Sequence, residues 1–309
     1  MSFSFLFPGQ GSQYSGMFKD HFEEFPEFNE VIGAGEEFYK EDLRNIIFSD
    51  DSRLSDTYYT QPILMLMSYA LFEVWSKNNC PIPKVAAGHS LGEVSAFLCA
   101  GSLTLEEALQ LIKYRATFMI EGKGETKTKM SAVLGLDGEA IKKILRDKKA
   151  KFLEAVNMNS PSQTVIAGNA DEIESVKNDL NENGAKRIID LAVSVPSHSS
   201  LMEIATTKLK LVLDDLKINK PTFPIIQNIQ AKIPLSIAEI CENLAQQISK
   251  PVQWVASMNR LKKYGLEMHI ELGPNKVLSG LAKQNRVQGE FASLDNIDTF
   301  KELLKKYGK

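Results

Sequence analysis

The stretch KVAAGHSLGE at residues 84–93 decides how the rest of the chain is interpreted. Residues 84–88 form a short apolar run that predicts a buried strand, and the residues after Ser90 predict a helix. Between them stands a G-x-S-x-G pattern, in which small glycines allow a sharp strand-to-helix turn that projects the serine hydroxyl. The pattern predicts a nucleophilic Ser90, although a serine that simply caps a helix would leave the same letters.

Two backbone segments could bind an oxyanion beside that serine. The first N–H groups of the helix after Ser90 have no partner inside the helix and carry partial positive charge, so the N–H of Leu91 is the first donor expected. The loop PGQGSQ at 8–13 lacks the third glycine of a dinucleotide-binding loop, because Tyr14 stands at that place. We expect the N–H of Gln10 to be the second donor; the alternative is an ordinary tight turn.

A nucleophilic serine needs a base, and the sequence offers four histidines. His89 is adjacent to Ser90 and should point to the opposite face of the backbone. His21 stands in an acidic, aromatic stretch that predicts a surface position, and His269 lies within a predicted strand. Elimination leaves His198, in the turn-prone SVPSHS at 194–199, as the expected base. The alternative is an incidental histidine near a helix cap, and no particular aspartate is indicated as a third member.

An arginine lies on the apolar stripe of a predicted helix. The helix at 104–120 opens with a T-x-x-E capping box, and Arg115 follows Ala108 by two turns, so both point the same way. A buried guanidinium needs a partner. Two structural explanations are an internal salt bridge and a side chain that snorkels to solvent. The functional alternative is a guanidinium fork that holds the carboxylate of a substrate.

Working outward, the order of elements predicts an α/β protein with an insert. Residues 62–77 predict a central helix that begins at Pro62, and the polar residues 122–129 predict a linker. The next segment has the order β-α-β-β-α-β of a ferredoxin-like unit. Its elements are predicted at Met130–Leu136, Gly138–Lys149, Phe152–Asn157, Thr164–Ala167, Asp171–Glu182 and Lys186–Leu191.

Later strands are predicted at Phe223–Ile229 and Glu267–Leu272. The predicted fold is an α/β core with a parallel sheet, plus an inserted α+β subdomain. The predicted domain boundaries are 1–124 and 196–309 for the discontinuous catalytic domain and 125–195 for the insert.

Composition excludes several functional classes. The 36 Lys and Arg residues against 39 Asp and Glu residues give a net charge of −3, which argues against a nucleic-acid binder. The three cysteines form no C-x-x-C pair, so neither a disulfide framework nor a cysteine metal site is expected. No signal peptide or membrane span is indicated, since the longest apolar run is residues 63–69. We expect a cytoplasmic enzyme that needs neither metal nor membrane.

Taken together, the motifs resemble those of the malonyl-CoA:acyl-carrier-protein transacylase family, the acyltransferases that load malonyl units in bacterial fatty acid synthesis. The resemblance is nearly full-length and keeps the order of the motifs. They are FPGQGSQ at 7–13, YTQP at 59–62, GHSLGE at 88–93, Arg115, NSPSQTVIAG at 159–168, GAKR at 184–187, SVPSHS at 194–199, PVQW at 251–254 and ELGPNKVLSGL at 271–281. The family's fold, a hydrolase-like α/β domain with a ferredoxin-like insert, agrees with the order of elements above.

The resemblance implies a role for each matched position. Ser90 would be the nucleophile and His198 the base, with the N–H groups of Gln10 and Leu91 holding the oxyanion. Arg115 would bind the malonyl carboxylate. Two further positions follow from the resemblance alone: Gln247, whose main-chain carbonyl would orient the histidine, and Asn159, which would flank the pocket. Departures from the family pattern are Lys250, where asparagine is frequent, and Ser162, where glycine is common.

The activity implied is malonyl transfer from malonyl-CoA to the phosphopantetheine thiol of holo acyl carrier protein, through a malonyl-serine ester. The partners implied are therefore malonyl-CoA and the carrier protein, and no cofactor is expected. The alternative enzyme is a serine thioesterase or esterase, since the same turn presents its nucleophile. The alternative outside catalysis is an inactive protein that only binds the carrier protein.

Overall fold

The computed structural model describes residues 2–193 and 195–308, so Ser194 of the SVPSHS motif lies outside the described residues. Its strands are β1 Phe3–Phe7, β2 Val85–Gly88, β3 Thr128–Leu134, β4 Leu153–Ser160, β5 Gln163–Asn169, β6 Arg187–Asp190, β7 Ile225–Ile226, β8 Met268–Glu271 and β9 Glu290–Ser293. Its α-helices are α1 Lys19–Glu24, α2 Pro26–Tyr39, α3 Leu43–Phe48, α4 Thr57–Lys77, α5 Leu91–Cys99, α6 Leu105–Gly122, α7 Gly138–Asp147, α8 Ala170–Glu182, α9 Glu203–Asp215, α10 Ile237–Gln246, α11 Trp254–Lys262, α12 Val277–Gln284 and α13 Ile297–Tyr307. Two short 3₁₀ helices lie at Ser52–Ser55 and Ser200–Met202.

A five-stranded parallel sheet forms the larger layer, with the strand order β7-β2-β1-β8-β9. Its central strands are buried on both faces between helices, which explains the continuous apolar runs in the sequence. Phe7 at the end of β1 lies opposite Gly88 at the end of β2. The loop after β1 and the turn after β2 therefore leave the sheet at the same edge, and this register brings residues 8–13 beside Ser90.

A four-stranded antiparallel sheet forms the second layer, with the strand order β4-β5-β3-β6. Helix α7 connects β3 to β4, and helix α8 connects β5 to β6. This confirms the predicted β-α-β-β-α-β order and gives the strand arrangement of a ferredoxin-like unit. The sheet lies within the predicted insert, between Thr128 and Asp190. The division into two domains at 125 and 195 stays a prediction.

The antiparallel sheet is joined to the rest of the protein by the two chain crossings and by hydrogen bonds. The chain crosses between the two sheets before β3 and after β6, as an insert requires. Among the hydrogen bonds is a backbone ladder: Val252 donates its N–H to the carbonyl of Val156 (2.8 Å), and Met158 donates its N–H to the carbonyl of Val252 (3.0 Å). The antiparallel sheet is thus bonded directly to the segment that follows α10.

The central helix α4 is buried as predicted, but its predicted start at Pro62 is wrong. The helix begins at Thr57, because the side chain of Asp56 accepts a hydrogen bond from the N–H of Tyr58 (2.8 Å) and caps it there. Pro62 lies inside the helix and leaves the carbonyl of Tyr58 without its helical donor. The cap at Asp56 therefore decides where the helix begins, although Pro62 is typical of the first turn of a helix.

Other local predictions had mixed outcomes. The capping box of α6 is present, with Thr104 and Glu107 bonded to each other's backbone N–H groups. The strand predicted at 223–229 is wrong in length, since β7 ends at Ile226. Beyond it the backbone N–H of Asn228 bonds to the buried carboxyl of Glu93 rather than to a neighbouring strand. In the described residues no helix is long and apolar enough to cross a membrane.

The tightest contact in the larger layer lies between β1 and α5, and it generates a stability prediction. A Cβ at Gly92 would lie 1.9 Å from the carbonyl oxygen of Phe7, whereas a Cβ at Gly280 in α12 would meet nothing within 4 Å. We expect Gly92→Ala to lower the free energy of unfolding by about 3 kcal/mol or more, because the backbone must separate from the strand. The matched Gly280→Ala variant should gain up to about 1 kcal/mol from helix propensity. Urea denaturation measures both, and equal midpoints would contradict the contact.

Candidate active site

The turn between β2 and α5 holds Ser90 in a strained backbone conformation. Its φ is 54° and its ψ is −115°, a region that costs a non-glycine residue on the order of 1–3 kcal/mol. The glycines on either side are required by space, since a Cβ at Gly88 would lie 2.0 Å from the backbone of Gly92. Both glycines of the G-x-S-x-G motif therefore permit the turn, and the turn points the serine side chain away from the sheet.

Ser90 and His198 are brought together although 108 positions separate them. The Oγ of Ser90 lies 2.7 Å from Nε2 of His198. The Nδ1 of His198 lies 2.6 Å from the main-chain carbonyl of Gln247. Because a carbonyl can only accept, Nδ1 carries the proton and Nε2 is free to accept from the serine hydroxyl. The imidazole is thus in the tautomer that a general base requires, with a backbone carbonyl in the place of a triad carboxylate.

His198 is kept neutral by its surroundings. Only 1% of the residue is exposed, and burial lowers its pKa to about 3. The positive charge of Arg115 contributes further in the same direction. The base is therefore unprotonated throughout the physiological range.

Arg115 reaches the serine from α6 and has no carboxylate partner. Its Nη1 donates to Oε1 of Gln61 (2.6 Å), and its Nη2 donates to Oε1 of Gln247 (2.9 Å) and to Oγ of Ser90 (3.2 Å). Burial lowers its pKa to about 10, so it remains charged at neutral pH. Among the described residues no ion pair involves Arg115. The carboxyl of Glu93 acts in the opposite direction on this pKa through space but makes no ion pair with Arg115, so the guanidinium beside Ser90 is suited to bind an anionic group.

The expected oxyanion donors face the same space. Leu91 and Gln10 both line the cavity at Ser90, and in the described part of the chain neither backbone N–H has a hydrogen-bond acceptor. The side chain of Gln10 is held by the hydroxyl of Thr57 at 3.2 Å. Gly9 allows this approach, since a Cβ there would lie 2.5 Å from the carbonyl oxygen of His89. Two residues with an unpaired backbone N–H therefore line the cavity that also contains Ser90.

The cavity itself is small, about 70 Å³. Ser90 lines it from the turn after β2 and Arg115 from helix α6, and residues of the antiparallel sheet and its return segment complete the wall. Its lining includes Met119, Met130, Asn157, Leu191 and Val193. Asn159 lies behind this wall, where its Oδ1 is 2.8 Å from Nε2 of His89. In residues 2–193 and 195–308 no group of three or more acidic, histidine or cysteine side chains is arranged to hold a metal ion.

The other histidines occupy structural positions. The prediction that His21 lies at the surface is wrong: it is 1% exposed and packs among Phe18, Phe28 and Phe300, with Nε2 at 2.9 Å from the carbonyl of Leu294. The acidic neighbours in the sequence point outward, while the aromatic ones enclose the imidazole. His269 lies in β8 as predicted.

Sequence analysis missed three polar residues behind the site. Gln61 precedes Pro62 on the buried helix α4, Glu93 lies on α5, and Asn228 follows β7. Glu93 is wholly buried, and burial raises its pKa to about 7. An acidic residue in the otherwise apolar segment LGEVSAFLC was a signal that could have been used. Nothing local indicated Asn228.

The chain is similar to known acyl transferases over most of its length. A family profile described as "Acyl transferase domain" matches residues 4–295. A protein of Bacillus subtilis named malonyl CoA-acyl carrier protein transacylase is 40% identical over 285 residues, which cover 91% of this chain and 89% of that protein. A protein of the same name from Escherichia coli K12 is 38% identical over 284 residues, covering 91% and 92% of the two chains.

Solved structures give the same picture. The malonyl CoA-acyl carrier protein transacylase of Coxiella burnetii superposes with a TM-score of 0.95 at 32% identity, over 100% of this chain and 98% of that one. A structure described as a type II PKS acyl-carrier protein in complex with its malonyl-transacylase gives a TM-score of 0.95 at 34% identity, over 99% of this chain and 100% of that one. These likenesses cover both sheets described above.

The low pKa of His198 predicts an unusual pH dependence. The rate at which Ser90 reacts with a fluorophosphonate should stay nearly constant from pH 8 to pH 5, because the imidazole loses its basic form only near its pKa of about 3. A histidine with the ordinary pKa of about 6.5 would instead lose about 30-fold over that range. An acid limb centred near 6.5 would contradict the assignment. In Arg115→Met, which removes a neighbouring charge, the acid limb should move to higher pH.

Proposed function

This chain belongs to the acyl transferase family and, within it, to the malonyl CoA-acyl carrier protein transacylases, and from that premise we propose that it transfers a malonyl group from malonyl-CoA to holo acyl carrier protein. One observation supports this more than any other. The buried guanidinium of Arg115 has no carboxylate of its own and lies 3.2 Å from Oγ of Ser90. A malonyl group bound as a thioester presents a carboxylate two bonds beyond the reacting carbonyl, and Arg115 would bind it there.

The first half of the reaction acylates the serine. The Nε2 of His198 removes the proton from Oγ of Ser90 as Oγ attacks the thioester carbon of malonyl-CoA. The tetrahedral oxyanion is held by the N–H groups of Leu91 and Gln10, each worth on the order of 3 kcal/mol in the transition state. The C–S bond then breaks, and the imidazolium of His198 returns the proton to the departing thiolate. Coenzyme A leaves, and a malonyl-serine ester remains.

The second half runs in reverse with a different thiol. The phosphopantetheine thiol of the carrier protein loses its proton to His198 and attacks the ester carbonyl. The collapse of the second tetrahedral intermediate breaks the C–O bond to Ser90, which regains the proton from His198. Arg115 binds the carboxylate in both halves, so the acyl group keeps its position while one thiol replaces the other. These steps use protein groups alone and need no cofactor.

Two supporting positions complete the proposed machinery. Gln247 orients His198 through its main-chain carbonyl, and its side chain also accepts from Arg115, so one residue sets the positions of base and carboxylate binder. Asn159 fixes His89 at the cavity wall. Each is assigned a positioning role, since neither would touch the reacting atoms.

Transfer is favoured over hydrolysis by the site and by the relatives. Esterases and thioesterases share the serine turn, but a buried cation at the acyl end selects an anionic acyl group and gives no advantage to a general esterase. The relatives and solved structures that we describe are named as transacylases. The intact arrangement of Ser90, His198 and Arg115 argues against an inactive scaffold.

The partner and compartment follow from the same proposal. The related structure in complex with an acyl-carrier protein supports a carrier protein as acceptor. All three cysteines are free, and Cys99 is buried, as expected of a protein that works in the reducing cytoplasm. We therefore place the reaction in the cytoplasm, at the point where malonyl-CoA supplies fatty acid elongation.

The first test is the covalent intermediate. Wild-type protein mixed with malonyl-CoA should show one malonyl adduct by intact mass, and Ser90→Ala should show none, because Ser90 carries the hydroxyl that lies 2.7 Å from Nε2 of His198. Addition of holo carrier protein should discharge the adduct to malonyl carrier protein, with little free malonate. An adduct on Ser90→Ala would contradict the nucleophile, and release of malonate as the main product would favour the thioesterase alternative.

The second test concerns selectivity. In Arg115→Ala the rate of malonyl transfer should fall by about 10²-fold or more, because a charge-assisted bidentate contact is lost. Transfer of an acetyl group, which has no carboxylate, should fall much less. The ratio of kcat/KM for the two acyl-CoA substrates measures this. Equal losses for both would assign Arg115 a structural role only.

A further inference from the structure

We propose that Asn228 and Glu93 are positioning residues for the nucleophile: together they clamp the strained peptide of Ser90 from behind, and so set the direction of Oγ and of the Leu91 N–H. This inference deepens the proposed function and rests on it for the acyl group. Glu93 is the last residue of the GHSLGE motif, Asn228 lies outside every motif, and neither was given a role from the sequence. The claim about the geometry of Ser90 itself can be tested without any malonyl substrate.

The side chain of Asn228 binds the turn on both sides of His89. Its Oδ1 accepts from the backbone N–H of Ser90 at 2.7 Å, and its Nδ2 donates to the carbonyl of Gly88 at 2.6 Å. The amide thus bridges the last residue of β2 and the residue just before α5. Asn228 is fully buried, so water cannot replace either contact.

Glu93 holds Asn228 in turn. One carboxyl oxygen accepts from the backbone N–H of Asn228 at 2.6 Å, and the other accepts from Nε2 of Gln227 at 3.1 Å. Glu93 lies on α5, and its own backbone N–H bonds to the carbonyl of Ser90 at 3.0 Å. The hydrogen bonds therefore form a closed ring that leaves Ser90, passes through Asn228 and Glu93, and returns to Ser90.

The ring explains how a residue with a φ of 54° stays in place. The carbonyl of Ser90 also accepts from Nε2 of Gln247 at 2.9 Å, so both polar groups of this residue's backbone are bound to side chains or to α5. Without Asn228 the N–H of Ser90 and the carbonyl of Gly88 would be buried and unpaired. The turn would relax toward an ordinary backbone conformation, and the 2.7 Å contact from Oγ to His198 would lengthen.

The same network contains a matched control. Asn243 is also buried, and its Nδ2 donates to Oε1 of Gln227 at 2.7 Å. Gln227 is the residue that precedes Asn228 in the sequence. The side chain of Asn243 has no contact with the turn. Asn243→Ala therefore removes a buried amide from the same cluster and should cost comparable stability, while it leaves both contacts to the backbone around Ser90 in place.

The experiment compares Asn228→Ala with Asn243→Ala in the full-length protein. The readouts are the rate of Ser90 labelling by a fluorophosphonate, kcat and KM for malonyl transfer per titrated active site, and the melting temperature. We expect Asn228→Ala to slow labelling and kcat by about 10²-fold in parallel, with KM for malonyl-CoA within about threefold because Arg115 is untouched. Asn243→Ala should keep both rates within about threefold. Equal rates in the two variants would overturn the proposal.

Two variants that change a polar group at nearly constant size test the same proposal if Asn228→Ala does not fold. In Asn228→Asp, a protonated carboxyl can both accept from Ser90 and donate to Gly88, whereas an ionised one repels that carbonyl. The rate of Ser90 labelling should then fall as pH rises, whereas the wild-type rate stays nearly constant. The other titratable groups near this position are Glu93, Arg115, His89 and His198. Glu93→Gln keeps one acceptor for Asn228 and should lose about tenfold at most, with no new pH dependence. A flat profile for Asn228→Asp at the wild-type rate would overturn the clamp.

The two proposals fail differently. Loss of labelling in Asn228→Ala, with a wild-type protein that labels rapidly but transfers no malonyl group, would support the clamp and contradict the proposed function. Rapid malonyl transfer by the wild type with unchanged labelling in Asn228→Ala would do the reverse.

Discussion

The structure depends on one close approach, between the end of β1 and the first turn of α5. A Cβ at Gly92 would lie 1.9 Å from the carbonyl of Phe7, so helix and strand meet at backbone distance. This contact fixes where α5 begins, and hence where Leu91 presents its N–H. It also fixes the separation between the turn at Ser90 and the loop at Gln10, because that loop continues from the same strand. Ser90 and the backbone N–H groups of Leu91 and Gln10 are thus placed by main-chain packing, and the side chains of Asn228 and Glu93 hold the turn within that frame.

The positive charge of Arg115 dominates the electrostatics of the site, because no carboxylate forms an ion pair with it among the described residues. Arg115 is held by two amide oxygens, from Gln61 and Gln247. Amides fix the orientation of a guanidinium without neutralising it, whereas a carboxylate would do both. The charge that remains lowers the pKa of His198 further, beyond the larger effect of burial, and is available to an anionic acyl group. An acid in place of either glutamine would neutralise this charge and so weaken both effects.

The sequence predicted the parts of the site that are local and missed those assembled by distant segments. The turn at Ser90, the capping box at Thr104 and the inward-facing Arg115 follow from spacing of a few residues, and each was found. His198 was reached by elimination, since only four histidines compete. Gln247 was supplied by the family resemblance alone, because a main-chain carbonyl leaves no signature in side-chain type. The contacts of Asn228 and Gln61 could not be predicted, although Gln61 stands in the YTQP motif, since their partners lie 138 and 54 positions away along the chain. His21 was misplaced because the charges beside it hid its aromatic environment.

The backbone ladder at Val252 has a mechanical consequence. A body attached to another at two points can still rotate about the line that joins them, and the two chain crossings alone would leave the antiparallel sheet such an axis. Bonds from Val252 to Val156 and Met158 add a third anchor, and a third anchor off that line removes the rotation. The cavity wall that includes Met130 is therefore braced by these bonds, and the antiparallel sheet cannot turn away from Ser90 without breaking them.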